Sequence, residues 1–135
     1  MLKPLGGYIG YNSEWRELAE VVSRVNNQII YAAAWNPATT FNEFWHSEDA
    51  GVTWKKSANS PGWRVVDVVA DPKEESVVYV TRRGTSNFQP QVLKSEDFGN
   101  SWANISNNLP KVSINALTVN YFNNQHLYVA TDLGV

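Results

Sequence analysis

Short apolar runs divided by polar turns fill this chain, and nearly all of them carry strand rather than helix periodicity. Runs 65–70 (VVDVVA) and 114–119 (INALTV) alternate in part, which predicts a strand with one face more buried than the other. Runs 29–34, 77–81 and 127–131 are continuous and rich in β-formers, the pattern of a strand covered on both faces. Segments 44–47 and 92–95 predict a third kind of strand, and 53–57 and 101–105 a short fourth. Between them lie the turn-forming stretches DPKEES, NYFNNQ, NSPG and NNLP. One stretch disagrees. Trp15, Leu18, Ala19 and Val22 sit at i, i+3, i+4 and i+7, a helical stripe.

The order of these strands repeats. The octets SEDAGVTW and SEDFGNSW begin at positions 47 and 95, 48 apart. Around them VVADPKEESVVYVTRRG aligns with LTVNYFNNQHLYVATDLG, and Tyr31, Tyr79 and Tyr128 recur at intervals of 48 and 49. A period of that size built from short β segments is the signature of an array with one four-stranded unit per repeat. Tyr31 fixes the register of the first unit, so LAEVV is expected to be a strand despite its helical spacing.

Composition narrows the partners. A chain of 135 residues makes at most one ordinary domain, and 43% hydrophobic with 18% charged residues is a globular balance. A net charge of −2 gives no electrostatic footprint for nucleic acid, and no apolar run approaches the ~20 residues of a membrane span, so neither partner is expected. The opening MLKPLGGYIGYNSEW has no apolar core of a secretory signal. Without cysteine, disulfides, thiolate metal sites and a Cys nucleophile are excluded. The six Trp are the unusual number.

Each octet reads as a self-contained turn between the third and fourth strands. Asp49 and Asp97 can accept hydrogen bonds from the backbone of their own turn, and Gly51 and Gly99 supply a positive φ at no steric cost. Thr53 and Ser101 add a hydroxyl, Ser47 and Ser95 open the turn, and Trp54 and Trp102 pin it by burying a ring. This Ser-x-Asp-x-Gly-x-Thr/Ser-Trp pattern resembles the Asp-box, or BNR, repeat, and the likeness extends over nearly the whole chain from about Leu18. Sialidases, sortilin-like receptors, photosystem II assembly factors and xyloglucan-cleaving hydrolases carry such repeats. The run SPGWRVVDVVADP…VLKSEDFGNSWANISNNLP looks most like large secreted bacterial proteins with BNR repeats. The resemblance implies an all-β fold, a β-propeller segment of four-stranded antiparallel blades. Two blades are complete and a third begins: residues 1–17 as a lead-in, 18–64 and 65–113 as blades with boxes at 47–54 and 95–102, and 114–135 as the first half of another. It also implies an extracellular or cell-envelope location, and a box that is a fold element without activity of its own.

Strand direction then separates two faces. The loops between second and third strands share a face with the connections between units, and both boxes lie on the opposite one. Trp35, Trp63, Arg82 and Arg83 fall on the first face. Flat aromatic rings beside Arg and Asn suit a glycan, with ring faces for the apolar sides of sugars and polar groups for hydroxyls or carboxylates. The plainer reading makes both Trp covers for the ends of the sheets.

Enzyme readings find less support. A sialidase needs an arginine cluster, a Tyr nucleophile with a Glu partner and an acid/base Asp, and no Arg-Ile-Pro-like signature is present near the start. ATDLG around Asp132 resembles the stretch that carries a catalytic Asp in xyloglucan-cleaving enzymes, and Asp67 is the sole internal candidate for a second acid. Inverting hydrolysis would place the two ~6.5–9.5 Å apart. The plainer reading of Asp132 is a turn residue ahead of Gly134. His46 and His126 lack metal-ligand spacing and read as surface or strand residues, DPKEES lacks the alternating ligands of a calcium loop, and Asn104-Ile-Ser106 is a glycosylation sequon by spelling only. No cofactor or metal is expected.

The expected function is therefore a non-catalytic propeller segment serving as scaffold or binding a glycan or protein; the alternative is part of a xyloglucanase- or sialidase-like glycoside hydrolase. Closed propellers have about four to eight blades, so a chain with fewer than three is expected to pair with further blades or to self-associate. Light scattering tests this, with oligomers or aggregates expected and a stable monodisperse 15.2 kDa monomer at high concentration counting against it.

Overall fold

The computed structural model describes residues 18–84, 91–107 and 109–135, and among these every regular element is a strand. The lead-in 1–17, with Trp15 of the helical stripe, lies outside the described residues, as does part of the loop after Arg83. Strands β1 (Leu18–Val22), β2 (Ile30–Asn36), β3 (Phe41–Ser47) and β4 (Lys55–Lys56) form one antiparallel sheet in chain order. A second sheet repeats that order with β5 (Val65–Ala70), β6 (Val78–Arg82), β7 (Gln91–Ser95) and β8 (Ala103–Asn104). The remaining pair, β9 (Ile114–Val119) and β10 (Leu127–Thr131), forms a two-stranded sheet.

The ambiguous LAEVV is strand. It pairs along its length with β2, from Leu18 opposite Ala34 to Val22 opposite Ile30. The reason lies in β2, where Ile30 to Ala34 are all buried and the backbone must find partners on both sides. With β3 on one edge, only a strand on the other satisfies those N–H and C=O groups. Tertiary pairing overrides the helical spacing.

The sheets pack in succession. β1 and β2 lie against β5, and β5 and β6 lie against β9, so the first strands are neighbours. Tyr31, Ala33 and Phe44 of the first sheet enclose an apolar core with Val68, Val78, Val80 and Leu93 of the second. Val77, Tyr79 and Val92 make a second core with Ile114 and Leu117. Both tyrosines are anchored through their hydroxyls: Tyr31 donates to the Glu75 carbonyl of the next sheet at 2.6 Å, and Tyr79 to Asp71 at 3.1 Å. Burial raises the pKa of each phenol, and nearby carboxylates add to the effect.

The third sheet departs from the expectation of a strand buried on both faces. Tyr31 and Tyr79 are 0% and 2% exposed, but Tyr128 at the matching place on β10 is 47% exposed. No third strand pairs with β10 among the described residues.

Phe44 is the side chain on which the first interface turns, touching the Tyr31 ring (centroids 5.9 Å apart) and the edge of Trp102 (4.9 Å). Phe44→Ala is expected to lower stability by about 3–5 kcal/mol through transfer loss and a residual cavity, read as a shift in the urea midpoint. A loss under about 1 kcal/mol would show that this interface is not a core.

Candidate functional site

Hydrogen-bond satisfaction explains the two octets. In the first, the Ser47 hydroxyl donates to Asp49 Oδ1 at 2.8 Å and accepts the Gly51 amide at 2.8 Å. Asp49 in turn accepts the Thr53 amide on Oδ1 at 2.8 Å and the Thr53 hydroxyl on Oδ2 at 2.6 Å. The second repeats this arrangement atom for atom, with Ser95, Asp97, Gly99 and Ser101 at 2.7, 2.8, 2.8 and 2.6 Å. Gly51 and Gly99 both have φ of 86°. Beyond the reading from sequence, the residues before them are left-handed too: Ala50 at 56° and Phe98 at 59°. A left-handed non-glycine residue is uncommon, and here the surrounding hydrogen bonds hold it in place.

The turns also face their neighbours. Ala50 and Phe98 each donate a backbone N–H to the turn between first and second strands of their own sheet, to Gln28 and Ser76. The second turn then reaches back across the interface. Phe98 stacks on His46 with centroids 5.4 Å apart, and the Ser57 hydroxyl donates to the Gly99 carbonyl. Asn59 donates to the Asn100 carbonyl at 2.7 Å and accepts Trp102 Nε1 at 3.2 Å. Trp102 therefore packs partly buried against the preceding sheet. A Cβ on Gly99 would be driven into the Phe44 ring, so that glycine answers to packing as well as to φ. Trp54 is partly buried, with its Nε1 enclosed and without a hydrogen-bond partner.

At the opposite end of the strands, the Trp63 ring has two guanidinium neighbours. Arg64 and Arg82 each sit over its ring, 5.5 Å from the centroid. Arg82 Nε donates to the Trp63 carbonyl at 3.2 Å, and Nη1 to Gln91 Oε1 at 2.6 Å. Gly62, at φ 98°, makes room for that guanidinium, since a Cβ there would stand 2.9 Å from Arg82 Cζ. Burial pushes the Arg82 pKa down, and no carboxylate pairs with Arg64, Arg82 or Arg83 among the described residues. Arg83 is exposed and tied through its backbone N–H to the Arg64 carbonyl. Trp35 is partly buried at the end of β2, opposite Asn42. The structure thus gathers Trp63 with Arg82. Arg64 joins the group, and only its adjacency to Trp63 could have signalled that.

Each of the two acids has a hydrogen-bond partner on β9. Asp132, exposed, accepts the Asn115 amide at 2.9 Å, while Asp67 accepts the backbone N–H of Leu117 at 3.2 Å and so ties β5 to β9. His46 is buried in β3, with Nε2 3.0 Å from Glu48. Among the described residues no cluster of His, Cys, Asp or Glu could hold a metal ion, and no helix is long and apolar enough to cross a membrane.

Charge follows from these partners. Hydrogen bonds from the Thr53 hydroxyl and amide, then from Ser47, hold the Asp49 pKa down to about 2. For Asp97 burial pushes upward, but the bonds from Ser101 and Ser95 outweigh it and the pKa falls below the ordinary value. Glu48 is lowered by Lys55 and His46, and Glu43 by Lys56 and Asn36 against an opposing effect of burial. In comparisons with known proteins, no family model and no curated protein matches the chain.

Depressed carboxylate pKa values contribute stability that is fully present above the unfolded value near pH 4 and lost as pH falls through the folded one. Acid unfolding is therefore expected between about pH 4 and, for Asp49, about 2. Replacing both box aspartates by Asn should flatten that limb in a stability-against-pH series. An unchanged slope in the double variant would show that the boxes do not drive it.

Proposed function

We propose that the chain is a non-catalytic segment of an Asp-box β-propeller, from an extracellular or cell-envelope protein, with a binding face at the end of its blades away from the boxes. The reading rests first on the boxes. Their Ser, Asp and Thr or Ser groups are engaged within the turn, which leaves a stitch between sheets and no group poised for chemistry. The equal strand order of the two four-stranded sheets supports blades in series.

The observation that carries the binding face is Trp63 flanked by Arg64 and Arg82. A ring with cationic neighbours that pair with no carboxylate among the described residues suits an acidic sugar: the ring meets the apolar face of the pyranose, and the guanidinium groups meet its carboxylate. Arg83 adds positive charge at the rim. Asp132 and Asp67 are occupied by Asn115 and Leu117, which favours scaffold and binding roles over hydrolysis.

A glycan array carrying acidic and neutral oligosaccharides tests this. Binding is expected to favour the acidic set and to weaken about tenfold or more in Trp63→Ala and Arg64→Ala, the size of a binding hot spot. Trp35→Ala is expected to change it little. Indifference to the first two substitutions would retire the face. Hydrolysis of xyloglucan or a sialoside that disappears in Asp132→Asn would overturn the non-catalytic reading.

A further inference from the structure

Asn104-Ile-Ser106 is the sole Asn-x-Ser or Asn-x-Thr triplet in the sequence. Such a triplet marks an acceptor for N-linked sugar only where its side-chain nitrogen is accessible. Burial, or a hydrogen bond that holds the nitrogen, would withhold it.

The structure leaves that nitrogen free. The triplet closes into an Asx turn at the end of β8, where Asn104 Oδ1 accepts the Ser106 amide at 2.9 Å and the Ser106 hydroxyl at 2.6 Å. An amide N–H can only donate, so the oxygen of Asn104 is the end turned inward and Nδ2 is the end left over. β7 holds the turn from its other side: the Ser106 hydroxyl accepts the Val92 amide at 2.9 Å, and the Ile105 amide donates to the Val92 carbonyl at 2.9 Å. Nδ2 of Asn104 has no acceptor among the described residues. By contrast, Asn36, Asn59, Asn100 and Asn115 each donate Nδ2 to a protein oxygen.

Exposure belongs to this place in the repeat. Asn104 and Ala103 are both exposed, and neither belongs to the two apolar cores. One period earlier Lys56 holds the same place on β4 and is exposed as well, although a complete second sheet packs against its own. A bulky group on Asn104 therefore displaces no packed side chain.

We propose that Asn104 is a site of N-linked glycosylation, with a lipid diphosphate oligosaccharide as donor. An N–C bond forms between Nδ2 and the anomeric carbon, while the bond from that carbon to the phosphate oxygen breaks. The diphosphate leaves with the electron pair, and the Nδ2 proton passes to a base of the transferase. The two hydrogen bonds to Oδ1 suit this step, because they draw charge onto the oxygen and make the Nδ2 proton more acidic. Both bonds span two residues, so the turn can form before the sheets assemble. The inference rests on the extracellular or cell-envelope location proposed above, since the donor is met on that route.

The test expresses the full chain behind a cleavable secretory leader in eukaryotic cells and reads intact mass before and after digestion with a peptide N-glycosidase. One glycan is expected, lost on digestion with residue 104 converted from amide to acid. Asn104→Gln and Ser106→Ala should abolish it, and Ser106→Thr should keep it. A secreted chain without the glycan overturns the proposal, as does a glycan that persists in Asn104→Gln. The leader supplies the route, so either failure leaves the location reading standing. An antibody to the chain, applied to fractions of the source cells, tests that reading separately: native protein confined to the cytosol overturns it, and this proposal with it.

Discussion

Everything in the order of these sheets depends on one contact: the turn after β7 closing over the aromatic side chains of β3. Phe44 meets Trp102 edge to face, lies beside the Tyr31 ring and packs against Gly99. Short four-stranded sheets cannot bury both faces unaided, and such units become stable when neighbours cover one another. The turn of the second octet makes that cover specific. Its interior hydrogen bonds fix the loop before docking, so little conformational freedom remains to be lost when Phe98 and Trp102 meet the preceding sheet.

The stiffness of the turn has a cost that the sheet absorbs. Two successive left-handed residues, one of them Phe98 rather than glycine, are unfavourable by about 1–3 kcal/mol for the non-glycine alone. The Ser95 and Asp97 side chains hold that conformation from inside, and the Ser76 carbonyl holds it from the neighbouring turn. What is gained is direction: the Phe98 ring points across the interface toward His46. The same economy separates the two ends of the molecule. Polar groups of the boxes are consumed by structure, whereas at the far end Arg64 and Arg82 meet a ring, Arg82 also bonds neutral acceptors, and neither pairs with a carboxylate among the described residues.

Much of this architecture was legible because it rests on local rules that repeat. Val, Ile and Tyr runs bounded by Gly, Asn and Pro mark strands whatever their neighbours are, and strands 65–70, 114–119 and 127–131 begin and end as the pattern predicts. The box could be read as a turn since each of its hydrogen bonds closes within five residues. LAEVV was harder, because its apolar spacing serves a helix as well as a strand and only the repeat register argued for the strand.

The sequence by itself determined the strands, their antiparallel order and the chemistry of the two turns, since each follows from side-chain periodicity or from bonds between near neighbours. Tertiary structure alone decided what those elements meet. Nothing in the spacing of Phe44, Asn59 and Trp102 announces that they touch, nor that Arg64 and Arg82 both sit over the Trp63 ring. It also decided that Tyr128, alike in pattern to Tyr31 and Tyr79, stands exposed. Burial is a property of the neighbouring surface, and a residue's own segment does not carry it.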